Sequence, residues 1–217
     1  MHKGQRFAFV APVDRHIWNC KLSLLSKLIE DGVEVLVICP SGEFTDRFSS
    51  LGIQHIPWPC QRENRNPFRE ILSVLHLWKI LFSLTPDLIH TFTIRPNLYG
   101  SFGSLFIPRR IPVINTVAGL GSFYIDDLGD NSTCFVRLIE TFYRFAFRIS
   151  CNVVFLNRDD RQLFISKGIV NSEKAVVIRG EGVDTERFRP VRTVEEQREL
   201  KEELFGDSRA VVVLLAG

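Results

Sequence analysis

Apolar and polar positions alternate along this chain between two periods. Short, nearly continuous apolar runs give way to longer stretches in which apolar residues recur every third or fourth position. Val33-Glu-Val-Leu-Val-Ile-Cys39 is the clearest run. A run of that kind suits a strand covered on both faces. The same reading predicts strands at Arg6–Ala11, Ile53–Ile56, Asp87–Thr91, Pro112–Val117, Asn152–Leu156, Ala175–Ile178 and Ala210–Leu215. Helical spacing predicts helices over Ile17–Asp31, Phe44–Ser50, Pro67–Leu84, Pro96–Phe106, Cys134–Ser150, Arg158–Lys167 and Val194–Phe205. Gly32 supplies a stop signal for the first of these, and Pro67 sits where a first helical turn accepts proline.

Strand–helix alternation of this kind predicts an α/β fold, a Rossmann-like parallel sheet with helices on both faces. A turn-rich segment, Gly180-Glu-Gly-Val-Asp184, leads to Pro190 and then to a charged helix. The expected organisation is therefore one domain over residues 1–190. A linker helix and the first strand of a second domain follow over 191–217.

Composition narrows the function classes. Apolar residues make up 45% and charged residues 24%, and the formal net charge of +2 leaves no basic stripe of the kind that reads nucleic acid. Cys20, Cys39, Cys60, Cys134 and Cys151 contain no Cys-x-x-Cys pair, so neither a zinc ribbon nor a disulfide framework is indicated. Five thiols, an odd number, suit a reducing, cytoplasmic setting. The apolar run at Phe7–Val13 is too short for a signal peptide, and no stretch reaches the roughly 20 apolar residues that span a bilayer.

In an open parallel sheet, ligands bind outside the carboxyl ends of the strands, so the residues just after each strand carry most weight. After the first strand, Asp14, Asn19 and Lys21 are cleft candidates, or equally capping and solvated residues. The absence of Gly-x-Gly-x-x-Gly there argues against a nicotinamide site. After the fourth strand come His90, Thr91, Thr93, Arg95 and Asn97, before a helix N-terminus that favours anions such as phosphate. His90 reads as a site residue or as a satisfied core histidine. After the fifth strand, Gly119, Leu120 and Gly121 allow close approach of a ligand to backbone, or form a plain turn. The polar stretch that follows, with Tyr124, Asp126, Asp127 and Asp130, has the length of a substrate lid. Arg137, Arg144 and Arg148 share one side of an aromatic-rich helix, which either packs on the sheet or lies on an anionic bilayer. Neither Gly-x-Ser-x-Gly nor His-Glu-x-x-His occurs, so serine-triad and zinc hydrolase chemistry lack their motifs.

Three segments together resemble the N-terminal half of retaining family 4 glycosyltransferases of the GT-B fold. They are Ile89-His-Thr-Phe-Thr-Ile-Arg-Pro-Asn-Leu-Tyr-Gly100, Val117-Ala-Gly-Leu-Gly121, and Gly182-Val-Asp184 with Phe188 and Pro190. Asp14 and Trp18-Asn-Cys-Lys-Leu22 are similar to the first loop and helix of a subgroup acting on undecaprenyl-linked glycans. The resemblance implies a hexose or N-acetylhexosamine moved from a UDP- or GDP-sugar to a polyprenyl-diphosphate-linked glycan, in bacterial surface polysaccharide or glycoprotein synthesis. It implies that this half binds the acceptor and a half beyond Gly217 binds the donor. It also implies no cofactor, no metal, and contact with the inner face of the plasma membrane. Arg95 and Lys21 would hold phosphate, and Thr93 and Asn97 would orient sugar hydroxyls. No residue is assigned as catalytic base, because Val117-Ala-Gly119 stands where many such enzymes carry a histidine. The alternative is a non-catalytic, membrane-docking acceptor-binding subunit that requires a separate donor-binding polypeptide.

Overall fold

The computed structural model describes residues 4–60, 67–119, 131–182, 193–209 and 211, and their side chains except at 67 and 131–135. Two compact units result, Met1–Gly182 and Val183–Gly217.

In the first unit the order is β1 (Arg6–Val10), α1 (Asp14–Cys20), α2 (Leu22–Glu30), β2 (Glu34–Cys39), α3 (Thr45–Ser50) and β3 (Gln54–Pro57). Then come α4 (Pro67–Leu84), β4 (Leu88–Phe92), α5 (Ile94–Ser104), β5 (Val113–Val117), α6 (Asn131–Ile149), β6 (Asn152–Phe155), α7 (Arg158–Ser166) and β7 (Ala175–Val177). All strand pairings are parallel, in the order β3-β2-β1-β4-β5-β6-β7. The predicted Rossmann-like α/β architecture is what forms.

Alternation along each strand divides the core. Ala8, Val10, Leu36, Ile38, Ile89 and Val113 pack with Leu77, Ile80 and Leu81 of α4 and with the fully buried Trp58. Their neighbours in sequence, Phe9, Val35 and Val37, face the other way, against Ile17, Leu25 and Phe48 of α1–α3. Val117, Val153 and Phe155 continue the core under α6 and α7, against Tyr143, Phe147 and Phe164. Burying both faces is what makes these strands nearly all apolar.

Several boundaries differ from the sequence expectation, and two of the differences have local causes. The helix expected over Ile17–Asp31 starts earlier and breaks in two at Lys21 (φ −124°, ψ −6°). Helix α5 begins at Ile94 rather than Pro96. Proline is tolerated in its first turn because amides there lack helical partners anyway. At the end of α2, Gly32 takes φ 85°, and Val33 N donates to Leu28 O at 3.0 Å, closing the helix and aiming the chain into β2.

The second unit contains α8 (Val194–Phe205). Thr193 caps it by accepting from Glu196 N at 3.1 Å, and Gly206 ends it in the left-handed region (φ 66°). The strand expected at Ala210–Leu215 lies outside the described residues except for Val211, which is 90% exposed.

Candidate substrate crevice

Strand order reverses between β1 and β4, and this switch point places the β1–α1 loop beside the tip of β4. The break at Lys21 lies here. Lys21 is buried, with Nζ 3.2 Å from Glu181 Oε1 and 5.1 Å from the centre of the Phe92 ring. His16, one helical turn earlier, has Nε2 3.6 Å from the same carboxylate oxygen and its ring 5.3 Å from Phe92. His90 packs tilted against Phe92, ring centres 4.4 Å apart, and its Nε2 lies 2.8 Å from Thr116 Oγ1.

The electrostatics follow from that crowding. Burial lowers the His16 pKa, and Lys21 adds to the effect while Glu181 opposes it. Burial, then Lys21 and His16, pushes His90 down to about 3. Burial raises Glu181, but the Cys20 thiol, His16 and Lys21 outweigh it and leave the carboxyl below its usual range. Burial and Glu181 push the Cys20 thiol up to about 11. The two imidazoles are therefore held neutral near neutral pH, beside the Lys21–Glu181 ion pair. His16, Cys20 and Glu181 also bring one metal-ligand atom each within 4.8 Å of one another. Such a set suits a borderline divalent ion, but the Lys21 ammonium on the same carboxylate opposes a second cation there.

The other expected residues divide into groups. Asp14 is buried; Oδ2 accepts from Phe44 N at 2.7 Å and Oδ1 from Arg15 N at 2.8 Å. A Cβ on Gly42 would lie 2.5 Å from Oδ1, so Asp14 and Gly42 lock the first loop to the β2–α3 loop. Asn19 is exposed on α1. Thr91 and Asn97 are fully buried: the Thr91 hydroxyl lies 2.7 Å from Asn97 Oδ1 and 2.6 Å from Asn115 Oδ1, while Asn97 Nδ2 donates to Thr116 O at 3.0 Å. These side chains tie the tips of β4 and β5 together, so the sugar-orienting role expected of Asn97 is corrected to a structural one. The cause is burial of both amide atoms among strand ends.

Thr93 stands at φ 70°, ψ 175°, a region that a β-branched residue occupies only under strain. Its amide donates to Thr116 O at 3.1 Å, which holds the strained turn in place. Arg95 forms an ion pair with Glu70, Nη2 to Oε1 3.0 Å, and Tyr99 OH donates to the same carboxylate. Gly119 is exposed at φ 100°, with open space where a Cβ would lie. Leu120, Gly121 and the expected lid lie outside the described residues. On α6, Arg137 and Arg148 are exposed. Arg144, half-buried, donates to Lys167 O at 3.2 Å and stands 3.6 Å from the buried Glu140.

His16 and Glu181 escaped the sequence reading. The His16-x-x-x-Cys20 spacing was visible, but no local pattern links either residue to position 181.

A family model described as Glycosyltransferase Family 4 matches residues 21–187. Over 214 residues the chain is 27% identical to the N,N'-diacetylbacillosaminyl-diphospho-undecaprenol alpha-1,3-N-acetylgalactosaminyltransferase of Campylobacter jejuni, covering 97% of this chain and 56% of that protein. Over 202 residues it is 26% identical to the UDP-Gal:alpha-D-GlcNAc-diphosphoundecaprenol alpha-1,3-galactosyltransferase of Escherichia coli, covering 91% and 49%. The chain thus spans about half the length of the curated relatives it matches. In fold it is similar to a glycosyltransferase from Rickettsia africae (TM-score 0.66, 17% identity, 94% of this chain and 50% of that one). It is also similar to Anabaena Alr3699/HepE, solved with UDP and glucose (TM-score 0.60, 16% identity, 91% and 50%).

Proposed function

The chain belongs to glycosyltransferase family 4, and on that premise we propose that it forms the acceptor-binding part of a sugar-transfer enzyme. The enzyme moves a hexose or N-acetylhexosamine from a nucleotide-sugar to a polyprenyl-diphosphate-linked glycan at the inner membrane face. The observation that carries this reading is the likeness, over more than nine tenths of the chain, to two relatives whose names each specify a diphospho-undecaprenol acceptor.

Physical chemistry of the crevice supports it. Lys21 is held by Glu181 and by the Phe92 face, and an acceptor phosphate exchanges with Glu181 for its ammonium. A cation already desolvated and positioned needs little reorganisation to meet an anion. His16 and His90 stay neutral there, so they present imidazole nitrogens rather than added charge. Thr93 keeps its strained turn on the crevice rim, where stored strain is characteristic of ligand clamps. Catalysis in this reading comes from positioning the acceptor hydroxyl against a donor sugar. No cofactor or bound metal enters it.

The chain itself allows a test. Calorimetric titration with a short polyprenyl-diphosphate-linked N-acetylhexosamine gives saturable binding that Lys21→Gln weakens. In the transfer reaction, Lys21→Gln and Arg95→Ala raise the KM for acceptor more than that for donor. Unchanged acceptor binding by Lys21→Gln, or a donor-selective effect, refutes the assignment.

A further inference from the structure

We propose that His16, Cys20 and Glu181 form a binding site for a borderline divalent cation, Zn2+ by its ligand chemistry, which takes the Glu181 carboxylate from Lys21. Among the described residues, no other group of three or more His, Cys, Asp or Glu side chains converges to this degree. The three arrive from two directions. His16 and Cys20 are one helical turn apart on α1, so their side chains rise from the same side of it. Glu181 comes from the loop after β7, where Gly180 (φ 65°) and Gly182 (φ 82°) flank it in the left-handed region. Ile178 N and Gly180 N donate to Phe155 O (3.0 Å) and Leu156 O (3.2 Å), which ties that loop to the end of β6.

Unsatisfied polar atoms single the cluster out. Among the described residues, three buried side-chain N or O atoms lack a hydrogen-bond partner, and two of them are His16 Nε2 and Glu181 Oε1. They lie 3.6 Å apart. A buried polar atom without a partner is costly, and a bound ion is one of the few things that account for it. Burial keeps the imidazole neutral, so what His16 offers at that distance is a lone pair.

Distances agree with a tetrahedral ion. Bonds of about 2.0–2.3 Å to nitrogen, oxygen and sulfur set ligand atoms roughly 3.3–3.8 Å apart. The His16–Glu181 separation is already in that range, and the Cys20 sulfur lies within 4.8 Å of a ligand atom on each of the other two. Rotation of the Cys20 side chain, on the last residue of α1, closes the remainder. As the ion binds, Cys20 loses its thiol proton to solvent and the sulfur bonds as thiolate, with water in the fourth position. One thiolate and one imidazole in a three-ligand set favour Zn2+ over Mg2+ or Ca2+, which prefer oxygen throughout.

Lys21 is the opposing charge. Its ammonium lies 3.2 Å from Glu181 Oε1, yet that oxygen receives no hydrogen bond, so the pair is a charge contact rather than a directed bond. A divalent ion bonded to the oxygen displaces an ammonium that only faces it, and the flexible lysine stem lets the ammonium move off. Metal and Lys21 therefore compete for one carboxylate, and removing the ammonium tightens metal binding. The site stands independently of the sugar-transfer reading: an acceptor phosphate acts on Lys21, a metal ion on Glu181.

The test is titration of the chain with Co2+, an optical stand-in for Zn2+, followed by absorbance, with Zn2+ affinity then measured against a chromogenic chelator. One Co2+ binds per chain with a thiolate-to-metal charge-transfer band, which Zn2+ abolishes and a large excess of Mg2+ does not. Cys20→Ser removes the band, whereas Cys151→Ser, at the exposed cysteine, leaves it intact. His16→Gln and Glu181→Gln each weaken Zn2+ binding about tenfold or more, with circular dichroism unchanged. Lys21→Gln tightens Zn2+ binding about tenfold by removing a competing charge. Absence of the band in the parent at millimolar Co2+ overturns the inference. So does a band that survives Cys20→Ser, or a Lys21→Gln protein whose Zn2+ affinity is unchanged or lower. Acceptor binding by Lys21→Gln, which tests the proposed function, is read by a separate titration and moves in the opposite direction.

Discussion

His90 provides the most quantitative consequence of the crevice. Its ring is enclosed by Phe9 at 5.7 Å and Phe92 at 4.4 Å, and burial, with Lys21 and His16, depresses its pKa to about 3 from an ordinary 6.5. A histidine that stays neutral in the folded state but protonates when unfolded makes stability fall with pH. The effect is absent above the unfolded value and grows as pH drops below it, until the folded value is reached. At about pH 4.5 the unfolded state has gained its proton over about two pH units, worth ~2.7 kcal/mol at 1.36 kcal/mol per unit. Solvent at the open edge of the ring trims this to about 2 kcal/mol. Urea unfolding followed by fluorescence of the buried Trp58 measures it, in the parent and in His90→Gln, which keeps a partner for Thr116. His16 titrates in both proteins and largely cancels. The parent's stability relative to His90→Gln falls by about 2 kcal/mol between about pH 7.5 and about pH 4.5, and does not change above about pH 7.5. Parallel stability profiles for the two proteins would refute the buried, neutral assignment of His90.

Three further outcomes follow from local geometry. Gly100→Ala places a Cβ 2.6 Å from Thr91 Cγ2 and lowers unfolding free energy by about 1–2 kcal/mol after the helix-propensity gain, measured by urea titration. Thr93→Gly relieves the φ of 70° and raises stability by about 1 kcal/mol while weakening acceptor binding, read by thermal unfolding and calorimetry together. Burial, with neighbouring carboxylates, pushes the Cys39 thiol up to about 12 and the Cys60 thiol up to about 11, so iodoacetamide near neutral pH labels exposed Cys151 in the folded protein. Mass spectrometry finds Cys39 and Cys60 labelled only after unfolding.

The pattern of apolar positions determined the layered α/β architecture, because a strand buried on both faces and a helix buried on one leave different periods in the sequence. It located α4 and α8 to the residue, and Pro67 supplies a local start signal for α4 that needs no distant partner. It also placed the candidate residues at strand tips, where parallel topology leaves room for a ligand. What each of those residues does was decided by contacts far apart in sequence. Asn97 is a structural amide because Thr116 O reaches it from another strand, and Arg95 is an ion-pair member because Glu70 comes from another helix. Glu181 meets His16 and Lys21 only once β7 carries the chain back toward α1. Exposure along α4 was equally hidden. Its periodicity marks an apolar helix, but only packing against the sheet shows which apolar residues the core uses, such as Leu77 and Leu81, and which it leaves to solvent, such as Phe68 and Leu72.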